Sequence, residues 1–159
     1  MIKPRMLVLV LLSSLITACG SQAIFEDQVD LPEGIWSESE PVRFTFQITD
    51  AYKPYSLNLH LRNSLDYTYH NIYFKYYLRN AQGEVLQESL EERLLFEVAS
   101  GSPLGDGLGS VKEISYMIGE PYHFIDTGQY ELSIEQYMRI AELSGILSVG
   151  ASVVPITQE

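Results

Sequence analysis

Residues 42–83, VRFTFQITDAYKPYSLNLHLRNSLDYTYHNIYFKYYLRNAQG, decide the fold. Val42, Phe44, Phe46 and Ile48 fall on one face of a two-residue repeat, with Arg43, Thr45 and Gln47 on the other. Tyr55, Leu57, Leu59 and Leu61 likewise oppose Ser56, Asn58, His60 and Arg62, and Ile72, Phe74, Tyr76 and Leu78 oppose Tyr73, Lys75, Tyr77 and Arg79. A period of two held through three segments specifies strands with one buried and one wet face; a helix would scatter these apolar residues around its circumference. Asn80-Ala81-Gln82-Gly83 is a hairpin turn, and Pro54 closes the connection over residues 49–54.

The same reading extends outward in both directions. Phe25, Val29 and Leu31 suggest a first strand, with Asp27 the exception on their face, and Trp36 is expected in the core or covering an edge. Beyond Gly83, residues 85–90 and 94–98 read as short strands separated by Glu91 and Glu92. The run SGSPLGDGLG at 100–109 is a loop whose glycines answer a conformational need. Residues 111–118, 130–134 and 147–153 resume the alternation, and 138–144 suggest an irregular helical turn stopped by Gly145. About eight short strands separated by regular turns predict an all-β, antiparallel β-sandwich, immunoglobulin-like or related, over residues 25–159. Asp126-x-Gly128-x-Tyr130-x-Leu132 matches the corner leading into the sixth strand of immunoglobulin-like domains. It predicts a hydrogen bond from the Tyr130 hydroxyl back to main chain.

The N-terminus sets the compartment. Lys3 and Arg5 precede an apolar run over residues 6–16, too short to span a bilayer, that ends in Ile16-Thr17-Ala18-Cys19. This resembles a lipobox. Residues 1–18 then form a lipoprotein signal peptide, Cys19 carries lipid, and 19–24 are a tether; an ordinary secretory signal is the competing reading. Lipid on Cys19, with more than one acyl chain at roughly 0.8 kcal/mol per methylene, anchors the chain firmly to a membrane without spanning it.

Cleavage leaves 141 of the 159 residues, enough for one domain with a substantial core. It also leaves 8 basic against 21 acidic residues, a formal charge of −13, which repels nucleic-acid backbones. Cys19 is the only cysteine, so the domain has no disulfide and no thiol nucleophile.

Catalytic chemistry is not signalled. His60, His70 and His123 have no second ligand at metal spacing, and His60 reads as a solvated strand histidine. No Gly-x-Ser-x-Gly elbow is present, and the glycine-rich run lacks the Lys-Ser/Thr of a phosphate loop. No catalytic residue, metal or cofactor is expected. The connection between the second and third of the opening strands is the sharpest surface feature. Asp66, Tyr67, Tyr69, His70 and Asn71 form a candidate partner surface, since tyrosine gives rigid amphipathic contacts; the competing reading is that tyrosine simply suits strands.

A family resemblance follows from several of these residues in order. They are the lipobox, Ile35-Trp36, PVRFTFQITD at 41–50, LRNSLDY at 61–67, and Asn71-Ile72-Tyr73. After these come PLGDGLGS at 103–110, Gly128-Gln129-Tyr130, IEQYMR at 134–139, LSGI at 143–146 and Val149-Gly150. The chain resembles the gliding-motility lipoprotein GldH family of the Bacteroidota over essentially all of its mature length. The resemblance implies a non-enzymatic lipoprotein that serves gliding and type IX secretion, with other envelope proteins as partners. Gly20-Ser21-Gln22 has no aspartate directly after Cys19, which points to the outer membrane; the periplasmic side is favoured and the cell surface is the competing placement. A lipid-anchored protein that binds glycan or another envelope polymer is the alternative.

Overall fold

The computed structural model describes residues 23–156; the signal segment, Cys19 and most of the tether lie outside the described residues. Ten strands follow in chain order. They are β1 (Phe25–Asp30), β2 (Ile35–Ser37), β3 (Val42–Ile48), β4 (Pro54–Ser64), β5 (Asn71–Asn80), β6 (Val85–Leu94), β7 (Val111–His123), β8 (Gly128–Gln136), β9 (Glu142–Ser144) and β10 (Ile146–Pro155). Eight of them build two antiparallel four-stranded sheets, ordered β1-β10-β4-β7 and β3-β8-β5-β6, while β2 and β9 form a small ribbon.

The expected antiparallel sandwich is present, and its strand order identifies the related form. In an immunoglobulin sandwich the strands sort as ABED against CFG. Here only β5 and β6 are consecutive neighbours within a sheet; every other link between the eight long strands crosses from one sheet to the other. That is the double-sheet winding of a jelly roll.

The core is the one the alternation defines. The inward residues of β3, β4 and β5 are all buried and meet Leu132, Ile134, Val149, Ala151 and Val153 from β8 and β10. Phe25 packs on Phe44 and Phe46 at centroid distances of 6.3 and 5.7 Å, while the rest of β1 is exposed. Trp36 is fully buried and lies opposite Leu143 in the β2–β9 ribbon. That pairing explains why residues 138–144 are not a helical turn. Leu143 is buried as a strand residue, and Gly145 makes the turn into β10 with φ of 91°.

At the other corner the Tyr130 hydroxyl donates to the Asp126 carbonyl at 2.8 Å, and the Tyr55 hydroxyl makes a similar bond to Asp50 at 2.6 Å. The histidine on the outer face of β4 is not solvated as expected. His60 is half-buried, with Nδ1 and Nε2 at 2.6 and 2.8 Å from the Ser115 and Ser152 hydroxyls. Desolvation lowers its pKa despite the nearby Glu26 and Glu113.

β6 departs most from the sequence reading. It is one strand rather than two, and its polar face is the inner one. Gln87, Glu91 and Arg93 point between the sheets, whereas Leu86, Leu90 and Leu94 are exposed. The inward groups meet β7 in a polar seam. Glu91 accepts the Gly119 N–H at 2.8 Å and pairs with Arg93 at 2.5 Å. Arg93 donates to the Met117 carbonyl at 3.0 Å, and Gln87 donates to the Tyr76 hydroxyl at 3.0 Å. Burial, with the Glu91 charge adding, pushes the Tyr76 phenol up to about 12. Glu91 is thus a seam residue and not a strand break. Gly119, at φ of 63°, lets β7 approach this seam, since a Cβ there would lie 2.4 Å from the Tyr76 hydroxyl.

Candidate partner surface

The two ends of the sandwich differ. Phe25, Val153, Leu57 and Ile118 share one row across the first sheet, near the end where the chain enters β1. The connections at this end are short, over 49–53, 81–84 and 124–127. The opposite end carries the long ones, over 31–41, 65–70, 95–110 and 137–145. An anchor at Cys19 is six residues from Phe25, a reach of roughly 20 Å at most. The 11 residues of β4 separate the two ends by roughly 36 Å. The long connections therefore sit at the end opposite the tether.

The five residues expected to form a partner surface lie at that far end, but the structure divides them. Tyr67 is 5% exposed and belongs to the core. Its ring stacks on Phe96 at 6.5 Å, Gly145 lies against its backbone, and its hydroxyl donates to the Asn71 carbonyl at 2.9 Å. Burial raises its pKa well above the ordinary phenol value. It fixes the connection and offers no contact area, which corrects the reading of Tyr67 as surface. Asp66 is exposed, and its N–H bonds Ser64 Oγ at 3.1 Å in a local turn. The His70 side chain is exposed, while its carbonyl accepts the Leu95 and Phe96 N–H groups at 2.7 and 2.9 Å.

Tyr69 and Asn71 are brought into a groove of about 520 Å³ with Tyr73, Leu90, Met138 and Arg139. Tyr69 and Tyr73 are each 38% exposed, and Tyr137, which completes the rim, is 52% exposed. The segment after β8 closes this groove because the Tyr137 N–H donates to the Tyr73 carbonyl at 2.7 Å. Met138 Sδ in turn accepts the Tyr73 N–H at 3.1 Å. Asn71 donates to Glu92, and the Glu92 carboxylate raises the Tyr73 phenol, through a hydrogen bond first and burial second.

Tyr137, Met138 and Arg139 were not expected here. Their cue in the sequence is a tyrosine just past the last alternating residue of β8, where nothing in the pattern demands burial. Leu90 joins them from the exposed face of β6. The groove can hold an extended or planar partner between tyrosine faces, with Asn71 and Arg139 as polar contacts. Among the described residues there is no group of three or more His, Cys, Asp or Glu placed to hold a metal ion.

Fold and groove together define a jelly-roll sandwich module with a tyrosine-lined groove at one end. The chain belongs to the GldH lipoprotein family, whose profile matches residues 23–153. It is 32% identical over 143 residues to the gliding motility lipoprotein GldH homolog of Christiangramia forsetii, covering 86% of each chain. It is 24% identical over 152 residues to gliding motility lipoprotein GldH of Flavobacterium johnsoniae, covering 90% of this chain and 91% of that one. A GH115 4-O-methyl-alpha-glucuronidase overlays 87% of this chain and 18% of its own at a TM-score of 0.44 and 8% identity, a likeness too slight to bear on function. Family membership agrees with the lipobox reading of Cys19 and makes the protein a membrane-anchored lipoprotein.

Proposed function

We propose that this protein is a gliding-motility lipoprotein of the outer membrane, a non-enzymatic component or assembly factor of the gliding and type IX secretion apparatus that faces the periplasm. The observation that carries this reading is the pairing of GldH family membership with a groove at the end opposite the anchor. A domain tethered at one end and exposing Tyr69, Tyr73 and Tyr137 at the other is arranged to reach a partner beyond the lipid surface.

Cross-linking and co-purification from membranes test the role. Gliding or secretion proteins are expected to come down with the wild-type chain and to be depleted with Tyr69→Ala/Tyr137→Ala. Retention on a glycan array that the same substitutions abolish, with no protein partner, would replace this role with polymer binding. Protease shaving of intact cells tests the orientation: degradation without permeabilisation would place the domain on the cell surface.

A further inference from the structure

From the open edge of β6 we infer a second binding site, an acceptor for an extended polypeptide segment that presents basic and apolar residues in turn at every second position. β6 ends its sheet, and no strand pairs with its outer edge among the described residues. The Leu94 carbonyl is taken by the Tyr116 hydroxyl, so it points away from β5. Antiparallel partners bond through every second residue, so Glu88, Leu90 and Glu92 also direct their N–H and C=O groups off the sheet. Their side chains share the outer face, which therefore reads acidic, apolar, acidic along an unpaired edge; Lys75 of β5 stands 3.6 Å from Glu88, while Glu92 has no ion pair among the described residues.

Edge strands are usually blunted by proline, by inward charge or by a cover. β6 has its charges inward at Glu91 and Arg93, yet it leaves Leu90 50% and Leu94 40% exposed. An added strand would gain main-chain bonds along the edge and set an apolar residue against Leu90, beside the groove lined by Tyr73 and Met138.

Charge selects the occupant. Two copies joined symmetrically about Leu90 would set Glu88 opposite Glu92 twice, and like charges directly opposite destabilise a strand pair. A strand with Lys or Arg at those two positions reverses the sign. The site thus fits a segment of another protein that carries basic and apolar residues in turn along one face, and it does so whether or not that protein belongs to the gliding apparatus.

The test uses the full lipidated chain in nonionic detergent and two nine-residue peptides, Val-Thr-Lys-Thr-Val-Thr-Lys-Thr-Val and its counterpart with Glu in place of Lys, so that one face of the added strand alternates charged with apolar residues. Fluorescence anisotropy is expected to show the Lys peptide binding at least about tenfold more tightly. Hydrogen–deuterium exchange is expected to slow within residues 85–94 on binding. Leu90→Pro removes an N–H that β5 does not use, so it should abolish binding while the fold survives. Glu88→Lys/Glu92→Lys is exposed on the outer face and should reverse the peptide preference, which keeps the test decisive if the proline variant unfolds. Equal binding of the two peptides, binding of neither, protection confined to other strands, or self-association that protects β6 without peptide would each overturn the proposal.

Discussion

Gly119→Ala tests whether the polar seam between β6 and β7 closes the sandwich as tightly as its geometry implies. Gly119 sits at φ of 63°, where an L-residue costs about 1–2 kcal/mol, partly offset by about 0.4–1 kcal/mol of lost unfolded-state freedom. The new methyl would also stand 2.4 Å from the Tyr76 hydroxyl and 2.8 Å from Gln87 Nε2. Tyr76 is fully buried, so its ring cannot swing aside, and overpacking of this kind costs typically about 1–3 kcal/mol. The expected loss is about 2–4 kcal/mol in urea denaturation. Gly83→Ala supplies the control, because Gly83 has φ of 82° with nothing within 4 Å of a built Cβ. It should carry only the backbone cost. Adding Tyr76→Phe to Gly119→Ala removes the clashing oxygen and leaves ring carbon Cζ at 3.5 Å, an ordinary contact. The double variant should therefore recover part of the loss, with a coupling of about 1–3 kcal/mol. If Gly119→Ala costs no more than Gly83→Ala, or if Tyr76→Phe rescues nothing, the seam is not tightly packed and this reasoning fails.

Tyr130→Phe removes the bond to the Asp126 carbonyl and should cost about 1 kcal/mol by denaturant melt; an unchanged midpoint would show that the corner adds nothing. Tyr67→Ala empties a core site and should cost about 3–5 kcal/mol, whereas Tyr69→Ala and Tyr137→Ala should leave thermal stability nearly intact; equal losses at all three would contradict the division of the surface. His60 has a lowered pKa in the folded state, so the unfolded chain protonates first as pH falls below about 6.5. Its contribution should diminish from there down through the folded pKa, and His60→Asn should flatten that part of the stability profile relative to wild type.

How much of this was legible depends on how local each decision is. The twelve inward positions of β3, β4 and β5 could be read directly, because burial there follows from alternation alone. Sheet order could not, since β10 lies between β1 and β4 for reasons of pairing across more than eighty residues. β6 misled because Glu91 and Glu92 read as a break between two short strands, whereas one strand runs through them. Only contact with Gly119, Met117 and Tyr116 of β7 makes the polar face the inner one. For the partner surface, Tyr69 and Asn71 were visible as part of a polar aromatic connection. Tyr67 looked equivalent until Phe96 and Gly145 enclosed it from distant parts of the chain. The glycine-rich run answered a conformational need, as expected: at Gly105, with φ of 83°, a Cβ would lie 2.3 Å from the Glu113 carbonyl oxygen.

The placement of β10 also governs when the molecule can fold. β10 is the last of the ten described strands in chain order, yet it joins β1 to β4. Until it arrives, β1 has no partner and β4 has one open edge, so the first sheet cannot assemble progressively from the N-terminus. Loop closure over such separations is slow, and the waiting edges are prone to aggregation. A chain stalled before Ile146 should remain protease-sensitive through β1 and β4; resistance there would show that the sheet forms without its final strand. Completion of the first sheet is therefore a late event, reserved for the strand that joins its two halves.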